Sequence, residues 1–425
     1  MNASMNEDHV IRQPTPYRRD PPAMALTDRT RWRVTAALSA AATAVALALT
    51  AAAPGQAAPA EGRIIGAGNG ADAVQDSYIV VLNEHSGLTA ASAAGHGLVA
   101  RYGGEITRTY RAALNGYAAH LTGTEARRLA ADPAVARVFQ DTTVHAQATQ
   151  LNPPWNLDRI DQANPPLDGA YTYPDSAGRG VHAYIIDTGV RVTHQDFDGR
   201  ASYGYDAVDG DTSAADGNGH GTHVAGIVAG KVHGVAKKAE IVSVRVLDDS
   251  GAGSTAGVLE GIDWVTANAV KPAVANLSLG AGASAVLDDA VRASIASGIT
   301  YAVAAGGSNA DASAFSPARV TEALTVGATD TADRRASSSN YGPVLDLFAP
   351  GVNITSTWNT SNTATATLSG TSVSSPHVAG AAAVYLGEHP ASAPPDVAAA
   401  LIAAASPVVQ NPGPGSPDLL LRVTW

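Results

Sequence analysis

The sequence predicts an α/β protein: a doubly wound parallel sheet with helices on both faces, preceded by a small ferredoxin-like α+β domain. Three observations lead there. From about residue 147 to 425, near-continuous apolar strands alternate with helical runs, the pattern of a parallel sheet covered on both sides. Between Ser77 and His145 a shorter stretch orders its elements β-α-β-β-α-β, the ferredoxin-like sequence. A polar run with Pro153-Pro154 separates the two, as domain boundaries do.

Taken in order, residues 1–60 read as a leader. Arg29, Arg31 and Arg33 precede an apolar run from Val34 to Ala53, and small residues follow through Ala60, the plan of a secretory signal peptide. Met24 is an alternative start. A membrane-spanning helix is the competing reading, but the run is mostly alanine and threonine, which insert poorly. No later segment looks transmembrane, so the mature protein is expected to be extracellular and free of membrane.

In residues 77–146, Tyr78 to Leu82 is β-rich and Leu88 to Tyr102 reads as helix. Thr107 to Leu121 suits a strand pair turned at Asn115-Gly116. Thr124 to Ala131 is a short helix capped by Thr122 or Thr124 and stopped before Pro133, and Val135 to Phe139 is a last strand. In residues 147–425 the clearest strands are Val181 to Ile186, Glu240 to Val246, Val274 to Leu279, Thr300 to Ala305 and Ala323 to Ala328. The helical runs are His220 to Val228, Ser254 to Asn268, Ser284 to Ser297 and Thr371 to Leu386.

Composition narrows the function. The 425 residues include 42 glycines and are 45% hydrophobic, enough for a sizeable core. A net charge of −11 gives no electrostatic support to nucleic-acid binding and favours solubility, with some weight for cation binding. With no cysteine, disulfides, thiol catalysis and thiolate metal sites are excluded.

Sites in such sheets collect at the carboxyl ends of strands. Asp187 ends the apolar run Ile185-Ile186, where an Asp serves equally as a turn residue or helix cap. Gly217 to Gly226 reads G-N-G-H-G-T-H-V-A-G, with His220 opening a small-residue helix and His223 one turn on. Two histidines at that spacing are also a metal-ligand pattern, although no Glu falls within this motif. Ser369 to Gly380 reads S-G-T-S-V-S-S-P-H-V-A-G and delivers Ser372 to the N-terminal end of a helix, where unpaired N–H groups favour developing negative charge. Alone, that serine reads as an N-cap. Together, Asp187, His220 and Ser372 supply an orienter, a general base and a nucleophile.

D-T-G, H-G-T-H-V-A-G and G-T-S-x-x-S-P-H-V-A-G, in the order Asp, His, Ser, resemble the three motifs of the subtilases. The likeness is closest to the proteinase K and aqualysin branch, through D-G-N-G-H-G-T-H-V-A-G, V-A-N-L-S-L-G, D-R-R and S-N-Y-G. It implies a subtilisin-like peptidase domain over 147–425, and a propeptide over 77–146 acting as folding chaperone and inhibitor. It also implies a secreted serine endopeptidase that acts on protein or peptide substrates as a monomer and is made as a self-processing zymogen. Processing would fall near Gln147 to Leu151.

By the same resemblance, Asp187, His220 and Ser372 form the triad. Ser278-Leu279-Gly280 and Gly251-Ala252-Gly253 flank an extended substrate, which pairs through its main chain. Ala304-Ala305-Gly306 lines the pocket for the residue before the scissile bond, implying a preference for apolar or aromatic side chains. Read without the resemblance, these three segments serve equally as buried strands and loops. Calcium is the implied structural cofactor, held by the Thr321 and Ala323 carbonyls and the Asp346 carboxylate; without the resemblance Asp346 is an Asp in a loop.

One position departs from the family pattern. Where A-A-G-N would place an Asn whose amide donates to the oxyanion, this chain reads Ala304-Ala305-Gly306-Gly307. Losing such a donor costs roughly 10²–10³ in turnover. Asn309, two residues on, either swings in to donate in its place or, as its displacement favours, belongs to the following loop. Two functions therefore stand: an attenuated protease, or a pseudoprotease that binds peptides or its own leader. A lipase-like esterase would need G-x-S-x-G and the order Ser, Asp, His, and has neither.

Overall fold

The computed structural model describes residues 59–66, 73–143 and 147–423. These lie in one compact unit, Pro59–Trp425, whereas the expected signal peptide lies outside the described residues. Among the described residues no helix is long and apolar enough to cross a membrane.

The first domain forms a five-stranded sheet from β1 (Ile64–Ile65), β2 (Ala73–Leu82), β3 (Glu105–Tyr110), β4 (Gly116–His120) and β5 (Val135–Thr142). Its order is β1-β5-β2-β4-β3. Without the short edge strand β1, this is the ferredoxin-like arrangement with helices α1 (Ala93–Arg101) and α2 (Gly123–Ala130). Thr122 and Glu125 close a reciprocal capping box at the start of α2. Helix α1 begins later than expected because Ser92 caps it, its hydroxyl accepting from the Gly95 N–H at 3.0 Å. Residues 88–90 are held instead by Asn115, which accepts from the Ala90 N–H and donates to the Leu88 carbonyl. Asn115 is thus a clamp on the preceding loop, and Gly116 already belongs to β4, which corrects the expected two-residue turn.

After β6 (Gln147–Leu151), helix α3 (Trp155–Ile160) and β7 (Ala170–Pro174) comes the large sheet. Strands β6 and β7 pair antiparallel from Gln147↔Pro174 to Leu151↔Ala170. The large sheet is built on β8 (His182–Asp187), with β9 (Ala201–Asp206), β10 (Glu240–Arg245) and β11 (Ala273–Leu277). A separate two-residue strand, β12 (Ala281–Gly282), pairs with β14 (Phe315–Ser316), while β13 (Thr300–Ala304), β15 (Leu324–Thr329) and β16 (Leu347–Pro350) extend the main sheet. Hairpin β17 (Ile354–Thr357) with β18 (Thr365–Leu368) and the short β19 (Ser406–Pro407) and β20 (Leu419–Leu420) complete the strands. The nine-stranded order is β19-β20-β16-β15-β13-β11-β8-β10-β9, with the β16-to-β9 run parallel throughout.

Helices cover both faces, as predicted. Along β8, Ala183 and Ile185 enter one core with helix α4 (His220–Ala229), α7 (Ser375–Glu388) and α8 (Pro394–Ala404). Tyr184 and Ile186 enter the other, with α5 (Thr255–Asn268) and α6 (Ala285–Ala296). The alternation is the period-2 consequence of a strand buried on both sides. Chain order reverses around β8, which lies between β10 and β11, so a crevice opens at the carboxyl ends of β8 and β11.

Candidate active site

The predicted catalytic and substrate segments lie at or beyond strand ends or next to helix starts. Asp187 is the last residue of β8 and is fully buried. His220 is the first residue of α4, which enters close to the strand because Gly221 has no side chain: a Cβ there would lie 2.1 Å from the Gly189 carbonyl oxygen. Ser372 is half-buried in a single 3₁₀ turn, Thr371–Val373, that precedes α7. The sequence reading ran one helix from Thr371 to Leu386. The break arises at Gly370, whose φ of 149° starts the turn, and the Val373 N–H bonds back to the Gly370 carbonyl. Helix α7 then starts at Ser375, with Pro376, which has no N–H to satisfy, in its first turn.

The imidazole Nδ1 of His220 lies 2.7 Å from Asp187 Oδ1. A carboxylate only accepts, so the ring proton sits on Nδ1 and Nε2 is left bare toward the cleft. Burial alone would lower the His220 pKa; the Asp187 charge and hydrogen bond outweigh it, Asp216 adds to them, and the net shift is upward. Ser372, His220, Thr188 and Asn218 line one cleft with Leu247, Gly251, Gly253 and Ser278 to Gly280. An adjoining pocket shares Ser278 to Ala281 and Ser372, and is walled by Ala304 to Ser308, Phe315 and Ala318. Ser278 and Leu279, expected at the end of a strand, lie past the end of β11, in the cleft. Ala252 does not line the cleft with its neighbours; its N–H and carbonyl are both taken by Asp248 within the loop.

The turn that carries Ser372 is held from several sides. Ser278 Oγ donates to the Ser372 carbonyl at 2.6 Å, and the Gly306 N–H donates to Thr371 Oγ1 at 3.0 Å. At Gly307 a side chain would point into open space, with no atom within 4 Å of its Cβ position. Asn309 faces elsewhere: its Oδ1 accepts from Arg335 Nη1 at 3.0 Å. His223 donates through Nε2 to the Ile354 and Ala366 carbonyls, and burial pulls its pKa down to about 4. It is therefore a neutral structural histidine, and among the described residues no group of three or more His, Asp or Glu could hold a metal ion.

Sequence reasoning missed two polar residues that shape the site. Asp216 accepts from Thr188 Oγ1, the Asn218, Gly219 and Thr222 N–H groups and the Thr222 hydroxyl, tying β8 to the start of α4. Its place four residues before His220 in a glycine-rich turn was the available signal. Asn340 donates to the Ala305 carbonyl and accepts from the Ser308 and Ala310 N–H groups, fixing the loop that carries Gly307. Of the residues expected to hold calcium, Thr321 is exposed, Ala323 buried and Asp346 half-buried. Burial pushes the Asp346 carboxyl up to about 6, against the one hydrogen bond its Oδ2 accepts from the Thr325 N–H.

A parallel sheet with an Asp–His pair and a serine converging at its carboxyl edge defines a serine hydrolase of the subtilisin type, and the comparisons agree. The subtilase family profile matches residues 178–419, and the peptidase inhibitor I9 profile matches residues 77–147. The chain belongs to the subtilase family and carries an I9 propeptide domain. It is 55% identical over 320 residues to an extracellular serine proteinase of Thermus sp. (strain Rt41A), covering 75% of this chain and 78% of that protein. It is 44% identical over 348 residues to alkaline serine exoprotease A of Vibrio alginolyticus, covering 79% of this chain and 65% of that protein. The crystal structure of a cold adapted subtilisin-like serine proteinase superposes with a TM-score of 0.63 at 50% identity, covering 64% of this chain and 99% of that one.

Proposed function

We propose that this chain is a secreted serine endopeptidase, made as a zymogen and slowed at one step of its chemistry. The observation that carries the reading is the 2.7 Å contact of His220 with Asp187 in a cleft that Ser372 also lines. Secretion is supported by the leader composition and by the Thermus relative, which is named extracellular. The I9 domain would serve as inhibitor and folding aid until removed, near Gln147 to Leu151. The peptide substrate would lie between Ser278-Leu279-Gly280 and the Gly251-to-Gly253 loop, bonded through its main chain. Small apolar walls at Ala304, Ala305 and Gly306, with Phe315 beside them, favour an apolar or aromatic residue before the scissile bond.

In this mechanism Ser372 Oγ attacks the carbonyl carbon while His220 Nε2 takes its proton. The acyl-enzyme forms as the amine leaves with that proton, and water then reverses the sequence. Asp187 keeps the His220 proton on Nδ1 and stabilises the imidazolium. The oxyanion would meet the Ser372 backbone N–H but, with Gly307 in place of Asn, no side-chain amide. Purified full-length protein should release its propeptide, hydrolyse a chromogenic peptide slowly, and be labelled at Ser372 by a fluorophosphonate. A chain that stays unprocessed and unlabelled would favour the second reading, a peptide-binding pseudoprotease, which the Gly307 substitution itself recommends.

The general base must be neutral to accept a proton, and its pKa is raised. The rising limb of kcat/KM against pH should therefore centre above the ordinary histidine value of about 6.5. A pH–rate series between pH 5 and 9 checks this; a limb centred below that value would remove His220 as the base.

Calcium is proposed at Asp346 with the Thr321 and Ala323 carbonyls. A half-buried carboxylate whose charge is held by one backbone donor suits an oxygen-ligated cation, which would restore its ionised form. Calcium at a hundred times its Kd should stabilise the fold by about 2.7 kcal/mol. Melting with and without chelator reads this directly, and an Asp346→Asn variant should lose the difference. A melting temperature indifferent to chelator would rule the site out.

A further inference from the structure

Beneath the nucleophile's turn lies a buried histidine that the chemistry above does not use. His377, in α7, is fully buried; its Nδ1 is 2.9 Å from the Val373 carbonyl and its Nε2 is 2.8 Å from Asn156 Nδ2. A carbonyl only accepts, so the ring proton is on Nδ1, and the bare Nε2 requires a donor. The Asn156 amide is that donor. Asn156 is 1% exposed; among the described residues its Oδ1 has no hydrogen-bond partner, and its Nδ2 bonds to His377. Val373 is the residue directly after Ser372, within the 3₁₀ turn. The chain of contacts thus runs from α3, at the start of the large domain, to the backbone that aims Ser372.

We propose that Asn156 is a positioning residue for Ser372, acting through His377: its amide fixes the imidazole tautomer that holds the Val373 carbonyl. This rests on the reading of Ser372 as nucleophile. Burial keeps His377 neutral, its pKa pulled down to about 3; the titratable group facing it is His223, which would lower it further only when charged and which burial keeps neutral as well. Without the Asn156 donor, the ring is free to carry its proton on Nε2. Nδ1 would then present a lone pair to the Val373 carbonyl, and the turn would shift. Displacements of this kind at a reacting group are costly in rate.

The test uses the full chain with Asn156→Ala and Asn156→Asp. Asn156→Ala should slow fluorophosphonate labelling of Ser372 and peptide kcat by roughly tenfold at unchanged KM. The ¹⁵N shifts of His377 should move from a pure Nδ1–H form toward a mixture. Asn156→Asp offers only an acceptor, so it pulls a proton onto Nε2. At low pH the imidazolium still donates to Val373, and kcat matches the parent's at the same pH. As pH rises the ring loses the Nδ1 proton, and kcat falls through a descending limb that the parent lacks. A packing role alone would move the melting temperature and leave the pH profile as it was. Parental labelling rates with an unmoved His377 tautomer in Asn156→Ala would overturn the proposal, as would a loss confined to KM. If Asn156→Asp does not fold, the Asn156→Ala rates and shifts decide. A parent chain that no fluorophosphonate labels would instead overturn the nucleophile reading, and the positioning role with it.

Discussion

An asparagine at position 307 should raise kcat on a peptide substrate by roughly 10²–10³, with KM little changed, because the gained interaction forms only as the oxyanion forms. The site is ready to receive it. Apart from its own chain neighbours, no atom lies within 4 Å of the Gly307 Cβ position, and the φ of Gly307 is not positive, so an L residue fits without backbone strain. Asn340 fixes the flanking backbone at Ala305, Ser308 and Ala310, and Gly307 lines the same pocket as Ser372. Gly307→Ala is the control: it fills the same space without a donor. If the Ala and Asn variants turn over alike, the missing amide does not limit turnover.

Ser372→Ala should leave the full-length precursor intact on a gel while the parent loses its propeptide. Losing the nucleophile from a complete site costs roughly 10⁶ in turnover. If the parent is slowed by its missing donor as proposed, the drop should be smaller, about 10³ or more. Folding should be little affected, since Ser278 holds the Ser372 carbonyl and the hydroxyl is not part of that contact. Propeptide release by the alanine variant on its own would move the chemistry away from Ser372.

Much of this was legible in the chain, for a physical reason. Strands buried on both faces must be apolar throughout, so β8, β10, β11, β13 and β15 announce themselves, each within a residue or two of its observed bounds. Hairpin β17–β18 escaped because Thr355, Ser356 and Thr357 are polar. They are spent on His223 and Thr222 carbonyls and on a cross-strand hydroxyl contact rather than on a core. Helix α8 escaped because Pro394-Pro395 reads as a loop, although proline suits a helix's first turn. Asn340 and Asn156 act by bonding backbone or a ring brought near only by the fold, and no local pattern marks such partners, whereas Asp216 bonds mostly within its own glycine-rich turn. The bareness of Gly307 is the converse case: the substitution was visible in the sequence, but the empty space around it was not.

The pairing of β6 with β7 bears on how maturation would end. If the cut falls within Gln147 to Leu151, the bond to be broken belongs to a strand whose five residues are in register with Ala170 to Pro174. Gln150 adds a bond to the Val232 carbonyl outside the pair. To be cut, that strand must peel away and enter the cleft; once cut, it can anneal again. The new amino terminus would then be withdrawn from the nucleophile by its own hydrogen bonds and could not return to accept the acyl group. Maturation would behave as a ratchet, its direction set by a sheet that recaptures one product as well as by dilution of the other.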